Sequence, residues 1–586
     1  MSESPPIPPV GSEEPLPPKH SLPSYGEPTP EMHRKISREE EAELALKNTE
    51  FADGTRWLLI VLFLLTIATV PAIQFVAELR ATGGSSRLPM FLVFESLPAW
   101  SRIHTVRGTR DLWNVLPRPA ELKQAERTLE NDSVVSQWLL PRAQFVLTAF
   151  LRDGNEQVYP GRDHWLFYRA DVDHVTGPPF LDSFRMKRRA QIGGTQPDPI
   201  KAIIDFQKQL AIRGIDLVII PIPVKPSIEG EKFSLMAPRD QALPNSSFLD
   251  FKARLTKAGI RLFDPTPLMI KRKILGGEPL YLESDTHWRP ETMEFIAQDL
   301  AGFLKLPSAP ERAPVVVEKE IVSRGDVAAM LKLSPGQSVY PEEKILIRQV
   351  LVGNALWRPN QHAEVLLLGD SFSNVFSVDA MGWGESAGFA EHLSLALGRP
   401  IDCILRNSDA AFATREILSN ELARGRDRLA GKKLVIWEFA ARELSFGNWK
   451  LLDLTLGQPR VSRFFTPNPG EEVVATGTVA SISPAPRPGT VPYRDHIVAL
   501  HFIDIASPAV AKSEQLQAVV YLWSMRGNVW TRAARLRPGD QVTLRLRRWS
   551  EVSDRYEKSN RTELDDSTLQ LEEPLWGEFD SKTGQE

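Results

Sequence analysis

Four short runs restrict this chain more than any other feature: IDLVIIPIP (215–223), VLLL (365–368), IDCIL (401–405) and KLVIWEF (433–439). Successive residues of a strand point to opposite faces, so a strand with one wet face alternates apolar and polar residues. These runs hardly alternate. They need cover on both faces, which is the condition of a parallel sheet between helical layers. The intervening segments supply helices. DPIKAIIDFQKQLAIRG (198–214) sets Ile203, Phe206 and Leu210 at helical spacing and stops at Gly214, and SSFLDFKARLTKAGI (246–260) stops at Gly259 before a short strand at IRLF. The expectation is an α/β domain over 150–455, a doubly wound and mostly parallel sheet.

The pattern changes at both ends. After Pro467, VVATGTVASIS, HIVALHFIDI, AVVYLW and QVTLRLRRW alternate, with Arg537-Pro538-Gly539-Asp540 as a turn. A small antiparallel β domain over 468–586, OB-like or a sandwich, is expected. Residues 1–50 are rich in Pro, Ser and Glu and bury too little apolar surface to order themselves, apart from a charged helix over 36–48. WLLIVLFLLTIATVPAIQFV (57–76) carries no charge and has the length of a membrane span. A buried core helix is rarely apolar all round, and a cleaved signal does not follow so long a mixed-charge leader. A retained single-pass transmembrane helix is the expectation, with orientation left open by the slight Lys/Arg bias. Residues 81–149, including a helix over AELKQAERTLEND, would space it from the main domain. The net charge of −4 without a basic block argues against nucleic acid, and the single cysteine, Cys403, excludes an internal disulfide and Cys-rich zinc sites.

Chemistry concentrates at two corners. In LLLGDSFSNVFS (366–377) an apolar strand runs into Gly369-Asp370-Ser371 at a helix start. Asp and Ser are ordinary helix caps there, and a serine at a strand-to-helix elbow is also where a nucleophile is held. The second corner is ESDTHWRPETMEFIAQDL (283–300), where Pro290 opens a helix whose buried face would be Met293, Ile296, Leu300 and Phe303. Asp285 and His287, two apart in the extended loop before it, project to one side. The carboxylate would then hold one imidazole nitrogen and leave the other free as a base. Each piece alone is common; their joint placement at sheet ends is more specific.

Leu368-Gly369-Asp370-Ser371 and Asp285-Thr286-His287-Trp288, with the Asp-His pair preceding the serine rather than following it as in ordinary GDSL esterases, resemble the SGNH hydrolase-like family of alginate O-acetylation proteins, the AlgJ/AlgX type. GRDHWLFYRADVDHVTGP (161–178), VIIPIPVKPSI (218–228) and VIWEFAAREL (435–444) are similar to family segments too. The resemblance implies an SGNH-like catalytic domain with Ser371 as nucleophile, His287 as general base and Asp285 as its orienting carboxylate, without a cofactor. LRNSDAAFATRE and VIWEFAARE show no obvious glycine or Asn-Asp pair of the kind that ordinary SGNH enzymes add to the oxyanion hole, so the backbone N–H of Ser371 is the only donor named.

Other residues carry two readings each. Lys225, Arg415 and Arg442 fall at or after strand ends, where they would meet an anionic sugar or sit in ion pairs. Glu438 is expected to pair with Arg442, and Cys403 to pack in a strand. His164, Asp171, Asp173 and His174 raise a metal site, but no second histidine pair or HExxH accompanies them, so no metal is expected. Trp523, Trp530 and Trp549 would stack on sugars or fill a barrel core.

The resemblance implies an O-acetyltransferase acting on an exported polysaccharide, fed by a membrane-bound O-acyltransferase. It further implies a bacterial inner-membrane anchor with the catalytic domain on the periplasmic side. An acetyl esterase using the same three residues and a non-catalytic polysaccharide-binding scaffold are the alternatives.

Overall fold

The computed structural model describes residues 52–81 and 133–579, apart from short stretches at 277–278, 308–313, 335–338, 354, 424, 459–463, 487, 489–490, 492, 508–515 and 537–539. The expected Pro-rich segment 1–50, the charged helix 36–48, the helix over 120–132 and most of the 537–540 turn lie outside the described residues. The chain divides into two compact units, Met1–Val135 and Ser136–Glu586.

In the first unit, helix α1 (Asp53–Ala81) extends the uncharged run to Asp53 and Arg56 at one end and Arg80 at the other. It contains Pro71, and it is the one helix among the described residues long and apolar enough to cross a membrane. Trp57, Leu62, Phe63 and Leu65 are exposed on it.

In the second unit, strands β1 (Asp216–Ile222), β2 (Arg261–Leu262), β3 (Val365–Gly369), β4 (Asp402–Leu405) and β5 (Leu434–Ala440) form one sheet in the order β2-β1-β5-β3-β4. Every pairing is parallel. The apolar runs split by parity, as pleating requires. Val218, Ile220, Val365, Leu367 and Ile436 enter one core, whereas Leu217, Ile219, Leu366, Leu368 and Trp437 enter the other. Helices α2 (Pro199–Ile212), α3 (Phe248–Lys257) and α7 (Ala413–Ala423) cover the second face. Helices α4 (Pro290–Leu304) and α6 (Phe389–Leu397) cover the first, beside the short α5 (Ser371–Asn374). Helix α2 starts where Asp198 accepts the Ile200 and Lys201 amides and Pro199 occupies the first turn. The expected buried face of α4 needs one correction. Met293, Ile296 and Leu300 are buried, but Phe303 is 38% exposed and Leu304 takes the inner position, because the stripe advances by four residues at that turn.

An antiparallel hairpin of Val315–Ser323 and Glu343–Val352 is inserted between α4 and β3. Toward the C-terminus, β6 (Val473–Ile482), β7 (His496–Ala506), β8 (Ala518–Arg526), β9 (Gln541–Arg548) and β11 (Leu575–Phe579) form a closed sheet, with a short β10 (Asn560–Thr562) beside β7. Strand β6 pairs with β7 and β9, β7 with β8, β8 in parallel with β11, and β11 with β9. Val479, Val498, Leu500, Val520, Leu544 and Leu546 fill the interior. This barrel is part of the same compact unit as the parallel sheet.

Candidate active site

The elbow after β3 is built around close packing. A Cβ on Gly369 would meet Ser373 Oγ and Glu438 Oε2, so no larger residue fits. Asp370 caps α5: its Oδ1 accepts the Phe372 amide at 2.8 Å, and its Oδ2 accepts the Ala440 amide at 2.7 Å, tying β3 to the end of β5. Glu438 lies behind this corner. Its Oε2 accepts Ser373 Oγ at 2.5 Å and the Asp370 amide at 3.0 Å. Burial and then the Asp370 carboxylate push the Glu438 carboxyl well above the usual range. The expected Glu438–Arg442 pair does not form, because Glu438 points at the elbow and Arg442 donates to Asp171 at 3.0 Å. Ser371 is the first residue of α5 and is 1% exposed.

The loop before α4 presents the second corner. Asp285 Oδ1 accepts His287 Nδ1 at 2.7 Å and the His287 amide at 3.0 Å, the arrangement that two residues of extended loop allow. Its other oxygen accepts the Asp326 amide at 2.9 Å and the Trp383 indole N–H at 2.8 Å. Nε2 of His287 is buried and has no hydrogen-bond partner. The loop is fastened to the elbow: Trp288 Nε1 donates to the Phe372 carbonyl at 3.0 Å, and the His287 and Phe372 rings lie 4.9 Å apart, edge to face. Thus the residue directly after Ser371 touches the imidazole.

Charge around the histidine is strongly perturbed. Burial pushes the Asp285 carboxyl up, but His287, the Asp326 amide and the Trp383 indole outweigh it and hold the group at about 2. Burial disfavours the His287 imidazolium, yet Asp285 and Asp326 together raise its pKa. Asp326 is driven up to about 7 by burial and then by Asp285, while its oxygens accept the Thr286 amide and hydroxyl. The histidine therefore has one directly bonded carboxylate and a second 3.9 Å away. Asp285, His287 and Asp326 also have the mutual spacing of metal ligands, with donor atoms within 4.8 Å. Within this group Nδ1 is bonded to Asp285 and Asp326 accepts from Thr286, which leaves Nε2 as the nitrogen without a hydrogen-bond partner. His174, by contrast, faces Ser445 at 2.7 Å and Asp171 pairs with Arg442, and among the described residues His164, Asp171, Asp173 and His174 do not come together as a ligand group.

Two of the three sugar-contact candidates are corrected. Lys225 is fully buried, its ammonium donating to the main-chain carbonyls of Leu166, Glu283 and Asp285. Arg415 is 1% exposed on α7, packed on the Trp437 ring and bonded to the Ala411 carbonyl. A position at a strand end did not bring either to the surface, because neighbouring elements close over both. Arg442 retains a 15% exposed side chain beside the site, ion-paired with Asp171 and lying 5.9 Å from the Phe372 ring. Cys403 is buried, and burial pushes its thiol up to about 12.

The barrel reaches this region by its 557–560 segment. Arg406, just after β4, donates to the Ser559 carbonyl at 2.9 Å, Asn374 to the Lys558 carbonyl at 3.2 Å, and Lys558 pairs with buried Glu391 at 2.8 Å. Its aromatics are mostly engaged in packing. Trp549 meets Tyr521 at 5.0 Å, Trp530 donates to the Pro486 carbonyl, and Trp523 has Arg526 over its face and Trp576 at its edge. Asp326, Trp383 and Glu343 are the site-forming residues with no signature in their local sequence. They come from the inserted hairpin and from the 378–388 loop.

Residues 158–441 match the family described as SGNH hydrolase-like domain, acetyltransferase AlgX. The chain is similar to the probable alginate O-acetylase AlgJ of Pseudomonas fluorescens, 25% identical over 307 residues, which cover 50% of this chain and 70% of that protein. It is similar to the protein of the same name from Pseudomonas aeruginosa, 30% identical over 188 residues, which span 31% of this chain and only 43% of that relative's length. Among solved structures, the O-acetyltransferase domain of Pseudomonas putida AlgJ aligns at 21% identity over 50% of this chain and 93% of that one, with a TM-score of 0.38. Pseudomonas aeruginosa AlgX aligns at 19% identity over 66% of this chain and 89% of that one, with a TM-score of 0.36.

Proposed function

The chain belongs, through residues 158–441, to the AlgJ/AlgX-type family of SGNH hydrolase-like proteins, and from that premise we propose that it transfers acetyl groups to hydroxyls of an exported polysaccharide. The observation that carries this reading is the 2.7 Å bond between Asp285 and His287 Nδ1, with Nε2 buried and unpartnered in a loop fastened to the Ser371 elbow. In the proposed cycle, His287 Nε2 accepts the Ser371 hydroxyl proton as Oγ attacks the acetyl carbonyl. The donor's leaving group departs with that proton, and acetyl-Ser371 remains. A sugar hydroxyl then gives its proton to Nε2, attacks the ester and leaves acetylated, while Ser371 recovers its proton. Asp285 holds the tautomer and stabilises the transient imidazolium. The Ser371 amide is the proposed oxyanion donor.

Burial of Ser371 and His287, each 1% exposed, supports transfer over hydrolysis, since an acyl-serine kept from bulk water survives until an acceptor arrives. The exposed α1 supports a single-pass anchor; the periplasmic side of the inner membrane for the catalytic unit, and a membrane-bound O-acyltransferase as acetyl source, are proposed from the family resemblance alone. Arg442 is the one remaining candidate for an anionic acceptor. The strand order of the barrel, with β8 and β11 parallel, supports an OB-like module.

The test is to incubate the full chain in detergent with an activated acetyl ester and oligosaccharide acceptors, then read products by mass spectrometry. Acetylated sugar that disappears in Ser371→Ala supports transfer. Free acetate alone indicates the esterase, and neither product from a folded chain indicates the scaffold.

A further inference from the structure

Lys225 is an unusual group to bury. An isolated ammonium is costly to remove from water unless it is paired, and among the described residues no carboxylate forms an ion pair with it. Its shell consists of three main-chain carbonyls, Leu166 at 2.5 Å, Glu283 at 2.7 Å and Asp285 at 3.0 Å. The Trp165 and Phe167 rings lie 4.9 and 5.2 Å away. An ammonium has three N–H donors, and three carbonyls take them. A neutral amine has two donors and a lone pair, so deprotonation would set that lone pair against the third oxygen.

The same segment is held from its other side by a carboxylate. Glu343 accepts the Glu283 amide at 2.9 Å, the Ser284 amide at 2.8 Å and the Ser284 hydroxyl at 2.7 Å. A cation therefore gathers the carbonyls of Glu283 and Asp285 while an anion gathers the amides of Glu283 and Ser284. Gly325 packs so tightly on this segment that a Cβ would meet the Ser284 backbone. Two residues further on is His287.

We propose that Lys225 and Glu343 form a charge clamp on Glu283–Asp285 that positions Asp285 behind His287, and that turnover requires Lys225 in its protonated form. Both are positioning residues, since neither reaches the reacting atoms. The inference rests on the Ser371–His287–Asp285 reading above. Glu343, Asp285, Asp326 and Asp171 all favour the ammonium, whereas Lys232 lies across the Trp165 ring and the nearby Glu229 and Glu231 are paired with Lys273. Burial nevertheless lowers the Lys225 pKa to about 8. The clamp thus loses its cation as pH rises through that value, a fall in kcat opposite in direction to the rise that deprotonating a histidine base gives.

The experiment compares wild type, Lys225→Met, Glu343→Gln and Ser371→Ala as full chains in detergent, measuring kcat and KM for an acetyl ester from acid to alkaline pH. Wild-type kcat is expected to fall as pH rises past about 8. Lys225→Met should lose about 10²-fold in kcat with KM little changed, because misplacing the catalytic pair acts on the transition state. Its alkaline fall should vanish. Glu343→Gln, which keeps one carbonyl acceptor, should lose less and keep the alkaline fall. Wild-type kcat that stays level through alkaline pH overturns the proposal, even if Lys225→Met fails to fold. So does a folded Lys225→Met with the wild-type profile. Wild-type turnover that survives in Ser371→Ala refutes the triad reading instead, so the two failures are distinguishable.

Discussion

Replacing Glu438 by alanine and by glutamine separates the carboxyl's shape from its charge at the nucleophile elbow. In the native chain Oε2 accepts Ser373 Oγ at 2.5 Å and the Asp370 amide at 3.0 Å, in a side chain with its residue 1% exposed. Alanine removes the acceptor from both donors, worth about 1–3 kcal/mol for the buried amide, and leaves a cavity, so about 3–5 kcal/mol is lost in all. Glutamine keeps a carbonyl oxygen in that position and carries no charge. Burial and Asp370 hold the native carboxyl protonated far above its ordinary 4.5, so glutamine resembles the native state and costs about 1 kcal/mol. The sign with pH follows from the raised folded value: Glu438 contributes stability that is complete below 4.5 and is lost as pH rises through its folded value. Glu438→Gln does not ionise, so its deficit relative to wild type should shrink on going from about pH 5 to about pH 8. Urea unfolding of the full chain in detergent, followed by tryptophan fluorescence, measures this. Equal destabilisation by glutamine and alanine at the acid pH would mean that the buried carboxyl is ionised there, the opposite of the protonated state expected.

Asp285→Asn should lower kcat by about 10⁴-fold, the scale for placing a catalytic histidine in the wrong tautomer, with KM for the acetyl ester unchanged. Because Asp285 falls from 3.8 to about 2 in the fold, its contribution to stability is present above 3.8 and lost as pH drops through about 2, and acid titration of Asp285→Asn should lack that component. Trp383→Phe removes one charge-assisted bond to Asp285 and should destabilise the chain by about 1.5–3 kcal/mol in urea melts. Gly325→Ala should reduce kcat through displacement of the Ser284 backbone, while far-ultraviolet circular dichroism stays native. Chelation by EDTA should leave turnover unchanged, since the proposed cycle runs through Ser371, His287 and Asp285 alone.

Much of the sheet could be read from periodicity. The runs at 216–222, 365–369, 402–405 and 434–440 are apolar on both faces because both faces are covered, and each is a parallel strand. The Asp285–His287 bond was legible for an equally local reason, since a residue spacing of two places both side chains on one side of an extended loop. What supports that pair was not legible. Asp326 and Trp383 reach Asp285 across separations of 41 and 98 residues, a relation created by the inserted hairpin and the glycine-containing loop rather than by any local pattern. Lys225 and Arg415 failed for a different reason. Position along the chain located them at the ends of elements, but burial depends on which neighbours close over the side chain. Long cationic side chains with apolar stems can be enclosed by aromatic rings, as Trp165 and Trp437 do here.

The proposed cycle passes through a covalent acetyl on Ser371 Oγ, which intact-mass spectrometry of the full chain after brief exposure to an activated acetyl ester detects. One added acetyl group, mapped by peptide analysis to Ser371, absent in Ser371→Ala and discharged by oligosaccharide, is the predicted result. An unmodified protein that nevertheless turns over the ester, or an acetyl that persists in Ser371→Ala, would contradict it.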